Sequence, residues 1–207
     1  MKMRLILPPK EKLIITSEDD VAEGRYYSSN PLIRNLYRNR LQYAIDLIEN
    51  NPESILDIGC GGGVLTLTLQ SLSKNVVSMD IHDKLESVNS KIPGKYIQGS
   101  IFDMPFKNKF DCILCLSVLE HLEDFEEAIV EITRHLNENG YVLFGIPSDN
   151  LLVKFFFWIK NSPALKTHIN SKRRLINSVG THMQVVERRT LRIFGIDYYT
   201  VLKCRLH

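Results

Sequence analysis

The sequence is short of the features that commit a chain to an unusual environment. Its 207 residues hold four cysteines, Cys60, Cys112, Cys115 and Cys204, with one close pair and no Cys/His spacing of a zinc site. That excludes a disulfide framework as the organising principle. The pair Cys112-Ile-Leu-Cys115 falls in an apolar run that reads as a buried strand, where residues three apart point to opposite faces and cannot share a metal. No metal site is expected, and the thiols fit a reducing compartment. No apolar run approaches the roughly 18 residues that span a bilayer, and the start of the chain has no apolar core before a small-residue cleavage site. A cytoplasmic protein is expected.

Net charge is also small, at +2, but it is unevenly spread. Residues 51–150 carry 7 basic and 15 acidic side chains, whereas 151–207 carry 11 basic and only 2 acidic. Near-absence of acids in the last quarter leaves two readings open: a solvated basic face, or a surface that meets an anionic partner. Length and a hydrophobic content of 44% suit one globular domain with a sizeable core.

Glycine is scarce except in one place. Of the 11 glycines, four lie within five residues: Gly59, Gly61, Gly62 and Gly63, in Ser-Ile-Leu-Asp-Ile-Gly-Cys-Gly-Gly-Gly-Val (54–64). An apolar run enters this loop and a helix-compatible run leaves it, which predicts strand, tight turn and helix start. Free N–H groups at a helix start, approached without a Cβ in the way, suit a small ligand. The dinucleotide fingerprint G-x-G-x-x-G fails, because Val64 stands where the third glycine is required. The pattern is instead Asp57-x-Gly59-x-Gly61-x-Gly63. A carboxylate at the strand end would repel a pyrophosphate and attract an ammonium.

On these residues the loop resembles that of the class I S-adenosylmethionine-dependent methyltransferases, of the small-molecule, type 11-like kind. In that family the loop holds the methionine half of the cofactor. The rest of the chain fits at matching distances. Residues 75–80, Asn-Val-Val-Ser-Met-Asp, read as a second buried strand ending in Asp80, whose two oxygens suit a ribose diol. The third strand begins at Lys95 and exits through Ser100-Ile101; the resemblance implies adenine contacts there, usually from an Asp, for which Ser100 is a departure. The fourth strand begins at Phe110 and ends near Leu116-Ser117. The run from there through Leu119-Glu120-His121, then Glu131, Arg134 and Leu136, then Gly140 and a strand over 141–146 closed by Pro147, matches the family pattern over about 50–150.

The expected fold is therefore α/β: a doubly wound, mostly parallel seven-stranded sheet of the Rossmann-like methyltransferase type with an antiparallel C-terminal hairpin. The expected division of the one domain is an N-terminal lid and helix (1–50), a cofactor core (51–150), and acceptor-side helices with the hairpin (151–207). Asn30-Pro31 predicts an N-cap and first helical residue, with Leu32, Ile33, Leu36, Tyr37, Leu41, Ala44, Leu47 and Ile48 on one face. Tyr26 and Tyr27 are lid candidates or packing aromatics. Other expected helices cover 64–72 and 83–89, one ended by Gly140, and one over 171–179 closed by Gly180. Strands over 183–191 and 197–205 should turn at Gly195-Ile-Asp. The stretch 151–174, with three consecutive Phe, the only Trp and six bases, reads either as a core helix with a basic side or as a membrane-surface or anion-gripping element.

The resemblance implies methyl transfer from S-adenosyl-L-methionine to a small-molecule acceptor. Implied cofactor-binding residues are Asp57, Gly59, Gly61, Gly63, Asp80, Ser100, Ile101 and Leu116. A base is needed only if the acceptor is protonated, and His121 and His168 are the candidates. A tRNA or rRNA methyltransferase is the alternative enzyme, favoured by the basic last quarter; a non-catalytic binding or partner protein is the alternative outside enzymes.

Overall fold

In a computed structural model, residues 3–15, 22–49, 51–148 and 169–207 are described. Seven strands form one sheet in the order β3-β2-β1-β4-β5-β7-β6. They are β1 (Ser54–Ile58), β2 (Asn75–Asp80), β3 (Lys95–Gln98), β4 (Phe110–Leu116), β5 (Leu136–Pro147), β6 (Gln184–Ile193) and β7 (Ile196–Arg205). The first five run parallel; β7 returns antiparallel to β5 and pairs with β6 as a hairpin. This is the expected doubly wound, mixed architecture, and the strand order places β1 and β4 at its centre.

Six helices accompany the sheet among the described residues: α1 (Ala22–Arg25), α2 (Pro31–Ile45), α3 (Thr66–Gln70), α4 (Leu85–Lys91), α5 (Phe125–Arg134) and α6 (Lys172–His182). Alternation along each strand sends side chains to two cores. Leu56, Ile58, Ile113 and Cys115 join Phe125, Ile129, Ile132, Leu175 and Val179 on the α5/α6 face. Ile55, Cys112 and Leu114 join Leu41, Ala44, Ile45 and Leu69 on the α2/α3 face. Cys112 and Cys115 thus point into opposite cores, as the strand period requires.

The N-terminus of α2 is built as the sequence implies: Pro31 is its first residue, and Asn30 Oδ1 accepts from the Leu32 and Ile33 amides at 3.0 and 3.5 Å. Five boundaries differ from expectation. The helix after the glycine loop is shorter, Thr66–Gln70, and α4 starts two residues later than the pattern implied. Gly140 does not stop a helix; α5 ends at Arg134 and Gly140 lies inside β5. The physical reason is space: a Cβ on Gly140 would sit 3.0 Å from both the Asn137 and Asp111 carbonyl oxygens, so the strand needs glycine there. Gly180 likewise lies within α6, which runs on to His182. A Cβ on Gly180 would meet no other described side chain within 4 Å, and burial of Leu175, Val179 and Met183 offsets its helix cost of about 1 kcal/mol. The hairpin turn is Phe194-Gly195, both at positive φ (49° and 79°), not Gly195-Ile-Asp.

Candidate active site

The carboxyl ends of β1, β2, β3 and β4 lie side by side, and the sequence places its polar strand ends there. After β1 the chain turns through Gly59, Gly61 and Gly63, all at positive φ (72°, 50° and 76°). The turn is pinned to β2: the Gly59 and Cys60 amides both donate to the Met79 carbonyl, at 2.8 and 3.2 Å. Gly59 has no room for a side chain, because a Cβ would overlap a Val118 methyl; on Gly63 it would lie 2.9 Å from the Tyr96 hydroxyl and 3.0 Å from Val88 Cγ1.

Two carboxylates flank this turn. Asp57, in β1, is 3% exposed, and burial, with the charge of Asp80 added, pushes its pKa up to about 7. Asp80, the last residue of β2, clasps the loop: its Oδ2 accepts from the Gly61 amide at 2.8 Å and its Oδ1 from the Ile81 amide at 2.7 Å. His82, which the sequence pattern did not single out, completes the clasp. Its Nδ1 accepts from the Lys84 amide at 3.1 Å, so Nε2 carries the hydrogen and donates to the Gly61 carbonyl at 3.2 Å. Two neighbouring acids beside a side-chain-free turn make a site for a cation with hydroxyls.

At the exit of β3, residues 100–103 form a tight turn in which Ser100 Oγ accepts from the Phe102 amide at 3.2 Å. The Ser100 hydroxyl keeps its own hydrogen to donate. Ile101 is only 7% exposed and packs into the α5/α6 core, while Phe102 and Ile81, at the exits of adjacent strands, stay 43% and 73% exposed. The exposed apolar surface on this side therefore comes from the neighbours of the expected residue. The alternation of the turn, not composition, decides which of the two is covered.

The mouth of β4 is the other half of the site. Leu116, its last residue, is partly buried against the α2/α3 core. Ser117 takes a positive φ of 61°, held by its amide donating to the Gly145 carbonyl at 2.8 Å and by its Oγ lying 2.9 Å from the Tyr199 hydroxyl. A non-glycine residue in this region costs about 1–3 kcal/mol and is commonest at functional sites. Above it sits Arg40 of α2. Its guanidinium is 4.4 Å from the Tyr37 ring centroid and 5.5 Å from those of Tyr26 and Tyr199, and Nη2 donates to the Tyr26 hydroxyl at 2.7 Å. Tyr26 is thus a core aromatic, 5% exposed; the Tyr27 hydroxyl donates to the Pro8 carbonyl.

Glu120 and His121 follow in the short helical turn Leu119–His121. The His121 side chain is 41% exposed, with Nε2 3.9 Å from Glu120 Oε1. Glu120 is 1% exposed, and neither carboxylate oxygen has a hydrogen-bond partner among the described residues. Burial pushes its pKa up to about 8, with its own backbone amide and the charge of Arg40 pulling the other way. The chain re-enters over this turn: the Ile169 and Asn170 amides donate to the Glu120 carbonyl, and Asn170 Nδ2 to that of Leu122. His168 and residues 151–168 of the basic aromatic stretch lie outside the described residues. Of the bases beyond them, Lys172 pairs with Asp197 at 2.8 Å, and Arg174 stacks on Phe125 and donates to Asn170. Both are taken up by intramolecular partners.

Residues 56–144 match the family model described as a methyltransferase domain. Over that central segment the chain is similar to methyltransferase domains. The ubiquinone biosynthesis O-methyltransferase of Rickettsia canadensis is 28% identical over 117 residues, 51% of this chain and 50% of that protein. The mitochondrial one of Schizosaccharomyces pombe is 30% identical over 111 residues, 49% and 40% of the two chains. The chain spans about half the length of the curated relatives it matches. Among solved structures, N-methyltransferase NodS from Bradyrhizobium japonicum with S-adenosyl-l-homocysteine superposes with a TM-score of 0.68 over 95% of this chain and 96% of that one, at 20% identity. Magnesium protoporphyrin IX methyltransferase from Synechocystis gives 0.67 over 92% and 96%, at 14% identity. At those identities the two superpositions establish the fold. The matched segment contains Asp57, the glycine loop, Asp80, Glu120 and His121.

For S-adenosylmethionine, the cofactor of the methyltransferases that this segment resembles, the residues present fit. The turn holds glycine at three positive-φ positions beside the strand ends, and the paired acids next to it call for a positive charge. Asp80→Ala is expected to weaken S-adenosylmethionine binding by about 1–3 kcal/mol, through loss of the loop clasp and of a charged acceptor. Titration calorimetry would measure this, and an affinity equal to wild type with the fold intact would remove Asp80 from the site.

Proposed function

We propose that the protein transfers a methyl group from S-adenosylmethionine to a small-molecule acceptor, at an oxygen. The observation that carries the reading is the pair Asp57 and Asp80 flanking a turn that no side chain can enter. In this reading Asp57 faces the cationic methionine end and Gly59, Gly61 and Gly63 supply the cradle. Asp80 receives the ribose hydroxyls, and Ser100, with the apolar surface of Ile81, Ile101 and Phe102, meets the adenine. Leu116 closes the site from β4. The bound cofactor supplies an electrophilic methyl, which leaves the protein chiefly to orient the acceptor and manage its proton.

Oxygen as the acceptor atom is supported by the O-methyltransferase names of the relatives that match the central segment. None of the relatives named above is an RNA enzyme, and the occupied Lys172 and Arg174 subtract from the basic surface an RNA or another anionic partner would need.

Calorimetric titration of the purified protein with S-adenosylmethionine, S-adenosylhomocysteine and NADH tests the reading. Micromolar binding of the first two and none of NADH is expected. Binding of NADH alone, or of none, would overturn it.

A further inference from the structure

A groove of about 320 Å³ runs between α6 and the β6/β7 hairpin, and its charge is one-sided. Lys172, Arg173, Arg188 and Asp197 line it, three cations to one acid. That acid is already used: Asp197 accepts from Lys172 Nζ at 2.8 Å and from Arg192 Nε at 2.9 Å, hydrogen bonds that hold its carboxyl below the usual carboxylate range. Lys172 is only 9% exposed and fixed in that pair. The side chains of Arg173 and Arg188 are exposed and have no hydrogen-bond or ion-pair partner among the described residues. They come from different elements, α6 and β6. Arg188 lies on the α6 face of the sheet, because it pairs with Leu202, a residue of the α5/α6 core. Two guanidiniums that share one groove with a neutralised acid repel each other, and an anion between them turns that repulsion into attraction.

The groove reaches the end of the sheet that carries the glycine turn. Ser148, the residue after β5, lines it, and its amide donates to the Tyr198 carbonyl at 2.9 Å, near the start of β7. From β4 to β7 is two strand spacings, roughly 10 Å at about 4.8 Å each, so a small molecule reaching from the mouth of β4 spans the gap. We infer that the groove binds a phosphate-type dianion carried by the methyl acceptor, through Arg173 and Arg188. The inference rests on the function proposed above. A phosphate monoester carries about two negative charges at neutral pH, which matches two unpaired guanidiniums, and its oxygens suit their forked donors. Ile176, partly buried in the wall of the groove, gives the organic part of the ester an apolar surface. An extended polyanion such as RNA needs a row of free bases, and Lys172 and Arg174 on either side of Arg173 are taken up by Asp197 and Asn170. One dianionic group fits what is left.

Phenyl phosphate serves as the probe and inorganic phosphate as the free anion, each titrated by calorimetry into the purified protein at an ionic strength held constant with sodium chloride. The wild type is expected to bind phenyl phosphate at least about fivefold more tightly than inorganic phosphate, because the groove offers the ring an apolar wall. Arg173→Gln and Arg188→Gln are each expected to weaken phenyl phosphate binding about tenfold. Neither should lower the melting temperature, since neither side chain holds another part of the fold. Lys95→Gln removes the same charge from β3, at the far edge of the sheet from β6, and is expected to bind as the wild type does. No binding of phenyl phosphate, an affinity unchanged in both arginine variants, or an equal loss in Lys95→Gln would overturn the inference. Inorganic phosphate bound as tightly as phenyl phosphate would give the groove to the free anion and overturn its assignment to the acceptor. The titration needs no cofactor, so a protein that binds phenyl phosphate through both arginines but fails to bind S-adenosylhomocysteine overturns the function proposed above and leaves the anion site in place.

Discussion

A Gly59→Ala variant is expected to melt at a clearly lower temperature than the wild type and to bind S-adenosylmethionine at least about tenfold more weakly. Two costs add. At a φ of 72° any L-residue is disfavoured by roughly 1–2 kcal/mol. The new methyl also overlaps a methyl of Val118, and over-packing a tight contact costs about 1–3 kcal/mol. Neither side can yield freely: the Gly59 amide is tied to the Met79 carbonyl, and Val118 follows the strained Ser117 at the mouth of β4. The clash therefore spreads to both walls of the site. Val118→Ala in the same chain should restore part of the stability but not the φ cost, so a double-mutant cycle separates the two. Thermal melts and calorimetry measure both effects; a Gly59→Ala protein with wild-type melting and affinity would mean the turn is not built as described.

The second large effect is on stability against pH. Asp57 and Glu120 are raised in the folded protein to about 7 and about 8, from ordinary unfolded values near 4. Between those limits the folded state holds protons that the unfolded chain has released, so stability falls as pH rises. The cofactor-free protein should be most stable near pH 5 and should lose on the order of a few kcal/mol by pH 9, Glu120 contributing the later part of the fall. Glu120→Gln removes that part: its melting temperature should exceed that of the wild type at pH 9 and converge on it near pH 5. Binding of the cationic cofactor should favour ionised Asp57, release a proton near pH 6, and strengthen as pH rises through 7. Melting curves across this range check the prediction. A wild-type protein equally stable at pH 5 and pH 9, with no gain from Glu120→Gln, would show that neither carboxyl is held protonated.

Much of this was readable along the chain, because the signals are local. The strands declare themselves as short apolar runs closed by Asp57, Asp80 and Ser117, and the N-cap of α2 by Asn30-Pro31. Two glycines misled for a shared reason. Gly140 and Gly180 look like helix stops, yet what a glycine does depends on its neighbours in space: carbonyls crowd the first, and a Cβ on the second would meet no described side chain. The tilt of one turn put Ile101 in the core and left Phe102 outside.

The amino-acid sequence by itself determined the α/β architecture, the turn between Asp57 and Gly63, and the acid closing β2, since each is set by periodicity and backbone chemistry within a few residues. Only the tertiary structure decided the chemistry at the mouth of β4. Arg40, Glu120 and Tyr199 are far apart in the chain and ordinary in their local context. It is the packing of α2 on the sheet and the pairing of β7 with β5 that bring them together, bury Glu120 and Tyr199, and turn an unremarkable Glu-His pair into one whose carboxyl keeps its proton to about pH 8.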